Sequence, residues 1–172
     1  MRMKNRDTKS TVYDEIRQQT PFSRPERELA VVLLRTGDVL HHGLARALAP
    51  FDLSNEQYNA LRILKGAGDD GHPTLEIARR LVSRSPNITR LLDKLIEKGL
   101  ATRERDRADR RQAVVRITAG GEALLKRCDK AVDAAMEKLR CLSTAEMKAV
   151  VAALDRVRAA VAVPTVQEEL RK

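Results

Sequence analysis

Two clusters near the middle of the chain have residue types and spacing suited to chemistry on a polyanion. From Arg103 to Arg111 five of nine residues are arginine, interrupted by Glu104, Asp106, Ala108 and Asp109. Like charges at this density repel one another unless a polyanion or the interspersed carboxylates compensate them, so part of the set is expected to face phosphate or enter a minor groove. About a dozen residues earlier, Asn87, Thr89 and Arg90 supply an amide, a hydroxyl and a cation within one helical turn. Arg to guanine and Asn to adenine are the common pairings at base edges in a major groove. Each cluster also has a plain reading, a solvated turn for the first and a solvated helix face for the second. Their closeness in sequence favours a joint role.

The charge distribution points the same way. The chain carries 33 Lys and Arg against 24 Asp and Glu, a net +9. Between Thr74 and Thr118 there are twelve basic and six acidic residues, so about a quarter of the chain holds most of the excess. Clustered basic charge attracts a polyanion and releases its condensed counterions. Two Phe, two Tyr and no Trp disfavour proteins that stack unpaired bases on aromatic platforms, leaving duplex DNA as the better partner.

These side chains need positioning by helices and a hairpin. Ile88, Leu91, Leu92, Leu95 and Ile96 recur at i, i+3, i+4, i+7 and i+8, which defines a buried helical face. At about 100° per residue, Pro86, Arg90, Asp93, Lys94 and Glu97 point away from it, with Asn87 and Thr89 at its edges. Ser83 is the expected cap of this helix, with Arg84, Ser85 and Pro86 in its first turn, and Gly99 its expected C-terminal stop. Strands are expected over Ala101 to Arg105 and Ala113 to Thr118, enclosing the arginine loop. Upstream, Thr74 is read as the cap of a short helix, Leu75 to Leu81, with Leu75, Ile77, Ala78 and Leu81 apolar. The few residues between the two helices force a steep crossing, the helix-turn-helix arrangement. A hairpin beside it makes the layout winged.

Around this reader the sequence is helical. Ser23 and Glu26 have the spacing of a capping box, with Pro25 in the first turn of a long helix that Pro50 stops. Ser54 and Gln57 form a second box, stapled by Leu53 and Tyr58, on a helix running to Gly66; Gly66 to Pro73 reads as a loop. After the hairpin, Leu124, Leu125, Cys128, Ala131, Val132, Ala135, Met136 and Leu139 form one stripe. A third box, Ser143 with Glu146, opens a last helix whose Val150, Val151, Leu154, Val157 and Val161 run on to Pro164. Residues 1–22 read as an arm with a short helix through Val12, Ile16 and Gln19.

Composition excludes other classes. At 172 residues and 42% hydrophobic content the chain can build a core. No apolar run approaches the roughly 20 residues that cross a bilayer, and nothing resembles a signal peptide, so no membrane association is expected and the cytoplasm is the default. No phosphate-cradling glycine loop, metal-ligand cluster or nucleophile motif is present, so neither catalytic residues, a metal site nor a cofactor are expected. Cys128 and Cys141 are too far apart on one helix to bridge, nearly 20 Å by the rise of about 1.5 Å per residue, and read as small core or interface residues, with a redox role or an intersubunit bridge as alternatives. His41, His42 and Arg46 are candidates to line an anion pocket.

In order and spacing the chain resembles the MarR family of bacterial transcription regulators. The likeness spans about Ser23 to Val163 and is carried by Phe51-Asp52-Leu53-Ser54-Asn55-Glu56-Gln57-Tyr58, Ile77-Ala78-Arg79-Arg80-Leu81, Asn87 to Leu95 with Gly99-Leu100, and Asp109-Arg110-Arg111 followed by Ile117-Thr118 and Gly121. The resemblance implies a homodimer built from the first and last two helices that binds a palindromic operator and represses transcription. It also implies a pocket where small phenolic or anionic effectors weaken DNA binding. Recognition positions carry onto Ser85, Pro86, Asn87, Thr89 and Arg90, and wing positions onto Arg107, Arg110 and Arg111. Pro86 and the leading arm depart from the commonest pattern. The peroxide-sensing cysteine of some members has no counterpart here.

The expected fold is mainly α with a small β-hairpin wing, a winged helix-turn-helix plus a helical dimerisation platform. The expected division is an arm at 1–22, a domain at 23–163 with its reader at 54–118 and dimerisation helices at 23–49 and 119–163, and a tail at 164–172. The function expected is a ligand-released, sequence-specific repressor; an architectural DNA protein without an effector is the alternative.

Overall fold

A computed structural model describes residues 12–83, 87–105 and 113–162. The chain divides into two compact units, Met1–Ala135 and Met136–Lys172. In order the elements are α1 (Val12–Glu15), α2 (Pro25–Leu48), α3 (Asn55–Gly66), β1 (His72–Pro73), α4 (Thr74–Arg80), α5 (Ile88–Glu97), β2 (Ala101–Arg105), β3 (Ala113–Ile117), α6 (Ala119–Met136) and α7 (Thr144–Val161). Among the described residues no helix is long and apolar enough to cross a membrane.

The core of the first unit is a set of fully buried side chains drawn from six elements: Leu48 of α2, Leu61 and Leu64 of α3, Ile77 of α4, Leu92 and Leu95 of α5, Val115 of β3 and Cys128 of α6. Each buried aliphatic side chain contributes about 1.5–3 kcal/mol. α3 lies at the centre because its entry is fixed locally. Ser54 Oγ accepts from Gln57 N at 3.2 Å and Gln57 Oε1 accepts from Ser54 N at 3.0 Å, the reciprocal box the spacing predicts. Its staple residues Leu53 and Tyr58 are both buried.

The expected box at Ser23 does not form. Arg24, not Ser23, is the boundary residue of α2, in extended conformation, and no side chain caps the helix. The cause is Pro25, which occupies the first helical position and disfavours the α region for the residue before it. Ser23 Oγ instead accepts from Arg27 Nη1 at 3.2 Å.

Glycine-rich residues 66–73 are more than a loop. His72 and Pro73 form β1, which pairs antiparallel with Val115 and Val114, giving a three-stranded sheet in the order β1-β3-β2. The hairpin itself pairs as expected, Ala101 opposite Ile117 through Arg105 opposite Ala113. Gly71 makes β1 possible: its φ is +66°, and a Cβ there would sit 2.6 Å from Arg116 Cγ. Because the chain passes from β1 directly into α4, Thr74 is the first helical residue instead of a cap. Ile77 is buried but Leu75 is exposed.

Two further helix ends differ from expectation. α5 begins at Ile88 with Asn87 as its cap, four residues after Ser83. Its end is as expected: Gly99, φ +68°, donates to Ile96 O at 2.8 Å and Leu100 N to Leu95 O at 2.9 Å, a Schellman closure. The stripe through Leu139 is not one α-helix. α6 stops at Met136 and Glu137–Cys141 tightens into a 3-10 turn before the Ser143 box, so Leu139 is exposed and Cys141 closes that turn. The box itself forms as expected, and α7 buries none of its side chains.

The described part of the arm is structured. α1 is a single turn, shorter than the helix expected through Gln19, with Val12 and Tyr13 buried. Tyr13 Oη accepts from Phe22 N at 2.8 Å, the two rings meet edge to face at 4.9 Å, and Glu15 pairs with Arg35 of α2 at 2.9 Å.

Candidate nucleic-acid interface and adjoining cavity

α5 is held by one face and leaves the other free. Leu91, Leu92 and Leu95 are buried, while Asn87, Thr89, Arg90, Lys94 and Glu97 are exposed. Asp93 is engaged elsewhere, 2.7 Å from Arg103 Nη1, which ties α5 to β2 and assigns the first arginine of the cluster to holding the hairpin. Arg116 of β3 is also occupied, donating to Asp69 O at 2.7 Å and lying 3.2 Å from Glu104. Asn87 Oδ1 accepts from Arg90 N at 3.0 Å, so this side chain starts the helix whatever else it touches. Ser85, Pro86, Arg107, Arg110 and Arg111 lie outside the described residues. Of the positions expected to read DNA, the structure therefore places Asn87, Thr89 and Arg90, together on the leading turn of α5.

A cavity of about 360 Å³ adjoins the start of this reader. Its walls are His41, Leu44 and Leu48 of α2, Asn55, Glu56, Tyr58, Asn59 and Arg62 of α3, and Val82 and Ser83 of the turn that follows α4. Burial raises the pKa of Tyr58, with its bond to Asp129 adding to the effect, so the phenol stays protonated and donates to Asp129 Oδ1 at 2.7 Å. Arg62 Nη1 donates to Tyr58 Oη at 3.3 Å and lies 4.0 Å from Asp129. Across the cavity Asn55 Nδ2 donates to His41 O at 2.9 Å and lies 3.0 Å from His41 Nδ1. The backbone contact fixes which end of the amide is nitrogen. Asn55 Oδ1 is then a buried acceptor with no partner among the described residues.

Of the three residues expected to line an anion pocket, His41 borders this cavity, and His42 and Arg46 are not among its lining residues. His42, one residue on, turns about 100° around the helix and sits 3.2 Å from Asp38 Oδ1. Arg46 is exposed and outside the lining. Sequence reasoning missed Asn55, Tyr58, Asn59 and Arg62. A signal was present: Asn55, Asn59 and Arg62 stand at i, i+4 and i+7, a polar stripe on the side of the helix away from the buried Ala60, Leu61 and Leu64.

Comparison with known proteins places this geometry. A sequence model of the MarR family matches residues 53–113. No curated protein sequence matches the chain. Among solved structures, a MarR transcription factor from Planctomyces limnophilus is 33% identical with a TM-score of 0.61, the alignment covering 78% of this chain and 98% of that one. MepR from S. aureus, solved as a DNA complex, is 25% identical with a TM-score of 0.71, covering 77% and 97%. The transcriptional repressor CouR, bound to a 23-mer DNA duplex, is 27% identical with a TM-score of 0.67, covering 80% and 99%. CouR from Rhodococcus jostii RHA1 bound to p-coumaroyl-CoA shares the fold at 22% identity and a TM-score of 0.70, covering 83% and 100%. The identity to the Planctomyces factor over nearly its whole length, with the mainly helical winged fold, establishes that this chain belongs to the MarR family of transcription regulators.

Proposed function

We propose that the chain is a homodimeric, sequence-specific DNA-binding repressor released by a small phenolic or anionic effector. The observation that carries the reading is α5: its leucine face is buried in the core while Thr89, Arg90 and Lys94 stand exposed on the other side. A rigidly held helix with a polar outer face is what a major groove receives. In this reading Ser85, Pro86, Asn87, Thr89 and Arg90 meet base edges or the adjacent backbone, and Arg107, Arg110 and Arg111 meet the neighbouring groove. The DNA-bound structures of MepR and CouR support it.

The effector class follows from the cavity. At about 360 Å³ it is within the range of small-molecule sites, roughly 300–1,000 Å³. Arg62 offers a cation to an anion, and the polar side chains of His41, Asn55 and Asn59 in the same walls suit a hydroxyl. A phenolic acid supplies both. The complex of CouR with p-coumaroyl-CoA supports a ligand of this chemistry.

The dimer is supported by α7, whose Val150, Val151 and Val161 are exposed. A second copy is the partner that would cover them, and two readers would then address half-sites about 34 Å apart. The reader at 54–118 and the dimerisation helices at 23–49 and 119–163 are the corresponding division.

The test is affinity for duplexes from the chain's own promoter region and for random duplexes, at two salt concentrations. The regulator reading expects a large preference; equal affinity leaves only an architectural protein. Arg90→Ala is expected to cost about 1–3 kcal/mol of discrimination. A uniform loss on every sequence would reassign Arg90 to phosphate.

A further inference from the structure

We infer that Asn59 is the positioning residue through which the cavity acts on the DNA-reading helix. The inference rests on the reading of the cavity as an effector site and names the part that transmits occupancy. Val82 is 89% exposed and Ser83 is exposed, so burial of these two side chains does not hold the turn after α4. Among the described residues, what reaches this turn from α3 is the hydrogen bond that Val82 N donates to Asn59 Oδ1 at 2.8 Å, across 23 residues of sequence.

Asn59 is placed for this and for little else. It stands inside α3, where asparagine is a poor choice because its side chain competes with the helix for backbone hydrogen bonds. On the same stripe Arg62 follows three residues later, and both line the cavity together with Val82. The bond therefore runs along the cavity wall. A molecule that enters, paired with Arg62, comes against Asn59 and Val82 at once. It either turns the Asn59 amide toward itself, drawing Oδ1 away from the turn, or pushes the turn outward, and in both cases Val82 N loses its acceptor. Asn87, the cap of α5 and five residues on from Val82, then loses its fixed height above the groove.

The experiment compares the full-length chain with Asn59→Ala and Asn59→Asp on duplexes selected in vitro from random sequence and on unselected duplexes, at one salt concentration. The readout is the ratio of the two affinities, which cancels the general effect of an added charge. Asn59→Ala is expected to lower the ratio about five- to tenfold, the size of one net hydrogen bond. Asn59→Asp, which keeps an acceptor for Val82 N, is expected to hold it within about twofold. Leu44→Trp serves as a built-in occupant of the cavity. It should lower the ratio in the native background and add nothing in Asn59→Ala, because both act on one bond. Hydrogen exchange at the Val82 amide, slow in the native chain and faster in Leu44→Trp, probes the same bond without the alanine variant.

An unchanged ratio in Asn59→Ala, an equal loss in Asn59→Asp, multiplying losses in the double variant, or an unprotected Val82 amide in the native chain overturns the inference. A native chain that prefers no sequence overturns the regulator reading itself, a result distinct from a selective native chain with an indifferent Asn59→Ala.

Discussion

Helices α5 and α7 are both amphipathic, and they differ in where their apolar faces go. The ten residues of α5 bury Leu91, Leu92 and Leu95 within the chain's own core. The eighteen residues of α7 bury nothing, and Val150, Val151 and Val161 remain 45%, 58% and 68% exposed. An isolated helix of this length is marginal in water, and a capping box adds only about 1 kcal/mol. The contrast teaches that the apolar face of α5 is covered within a single chain, whereas α7 leaves exposed the valines that the proposed dimer would cover. Breaking each face should therefore fail in a different way.

The largest effect is expected in the core. Leu95→Ala removes a fully buried side chain and should cost about 2–5 kcal/mol in urea denaturation, independent of protein concentration. Val151→Asp should leave helix content unchanged at high concentration yet shift the chain toward monomer in sedimentation. A variant that stays dimeric would show that α7's exposed valines are not the association surface. Next in size is a pair of glycines. A Cβ at Gly121 would collide with Leu100 O and stand 2.8 Å from Ile117 Cγ1, so Gly121→Ala should destabilise by about 1–3 kcal/mol. Gly37, inside α2, has nothing within 4 Å of such a Cβ, and Gly37→Ala should stabilise by about 0.5–1 kcal/mol. Thermal midpoints moving the same way would contradict the packing described around Gly121.

What could be read in advance divides along a physical line. The leucine face of α5, the boxes at Ser54 and Ser143 and the Gly99 closure are made by neighbours within a few residues, and the pattern alone locates them. Where a boundary depends on a competing neighbour it shifted, as Pro25 moved the start of α2 to Arg24. β1 was illegible because a two-residue strand exists only by pairing with Val114 and Val115, some forty residues away. The cavity was illegible for the same reason: α2, α3 and the Val82 turn converge only in three dimensions. Asn55, Asn59 and Arg62 left a periodic trace, but a polar stripe on a helix looks like a solvated face until an apolar wall is found opposite. Asn87 caps α5, a task that the pattern alone assigns to Ser83.

That cap offers a smaller perturbation. Asn87→Ala should cost α5 about 1 kcal/mol by removing the acceptor of Arg90 N, whereas Asn87→Asp keeps it. If the amide also reads a base, both variants should lose discrimination while only alanine loses stability. Parallel losses in the two assays would confine Asn87 to capping.

The smallest effect separates the two helices by pH. α7 begins on a carboxylate: Ser143 Oγ and Ser143 N donate to Glu146 Oε2 at 2.7 and 2.8 Å, and these bonds, the hydroxyl first, hold the Glu146 pKa below the usual carboxylate range. A group whose folded pKa is lowered contributes stability that is fully present above its unfolded pKa and disappears as the pH falls through the folded one. α7 should therefore begin to fray in acid, below the usual carboxylate range. The cap of α5 is a neutral amide and does not titrate there. In Glu146→Gln the amide oxygen can still accept from Ser143 N, but the acid-dependent part is gone, so helix content near neutral pH should drop slightly and change less on acidification. Residue-resolved amide exchange at the first turns of α5 and α7 would measure this. An equal acid response in the native chain and Glu146→Gln would place the sensitivity in some other carboxylate, and an acid response at Asn87 matching that at Ser143 would remove the distinction between the two starts.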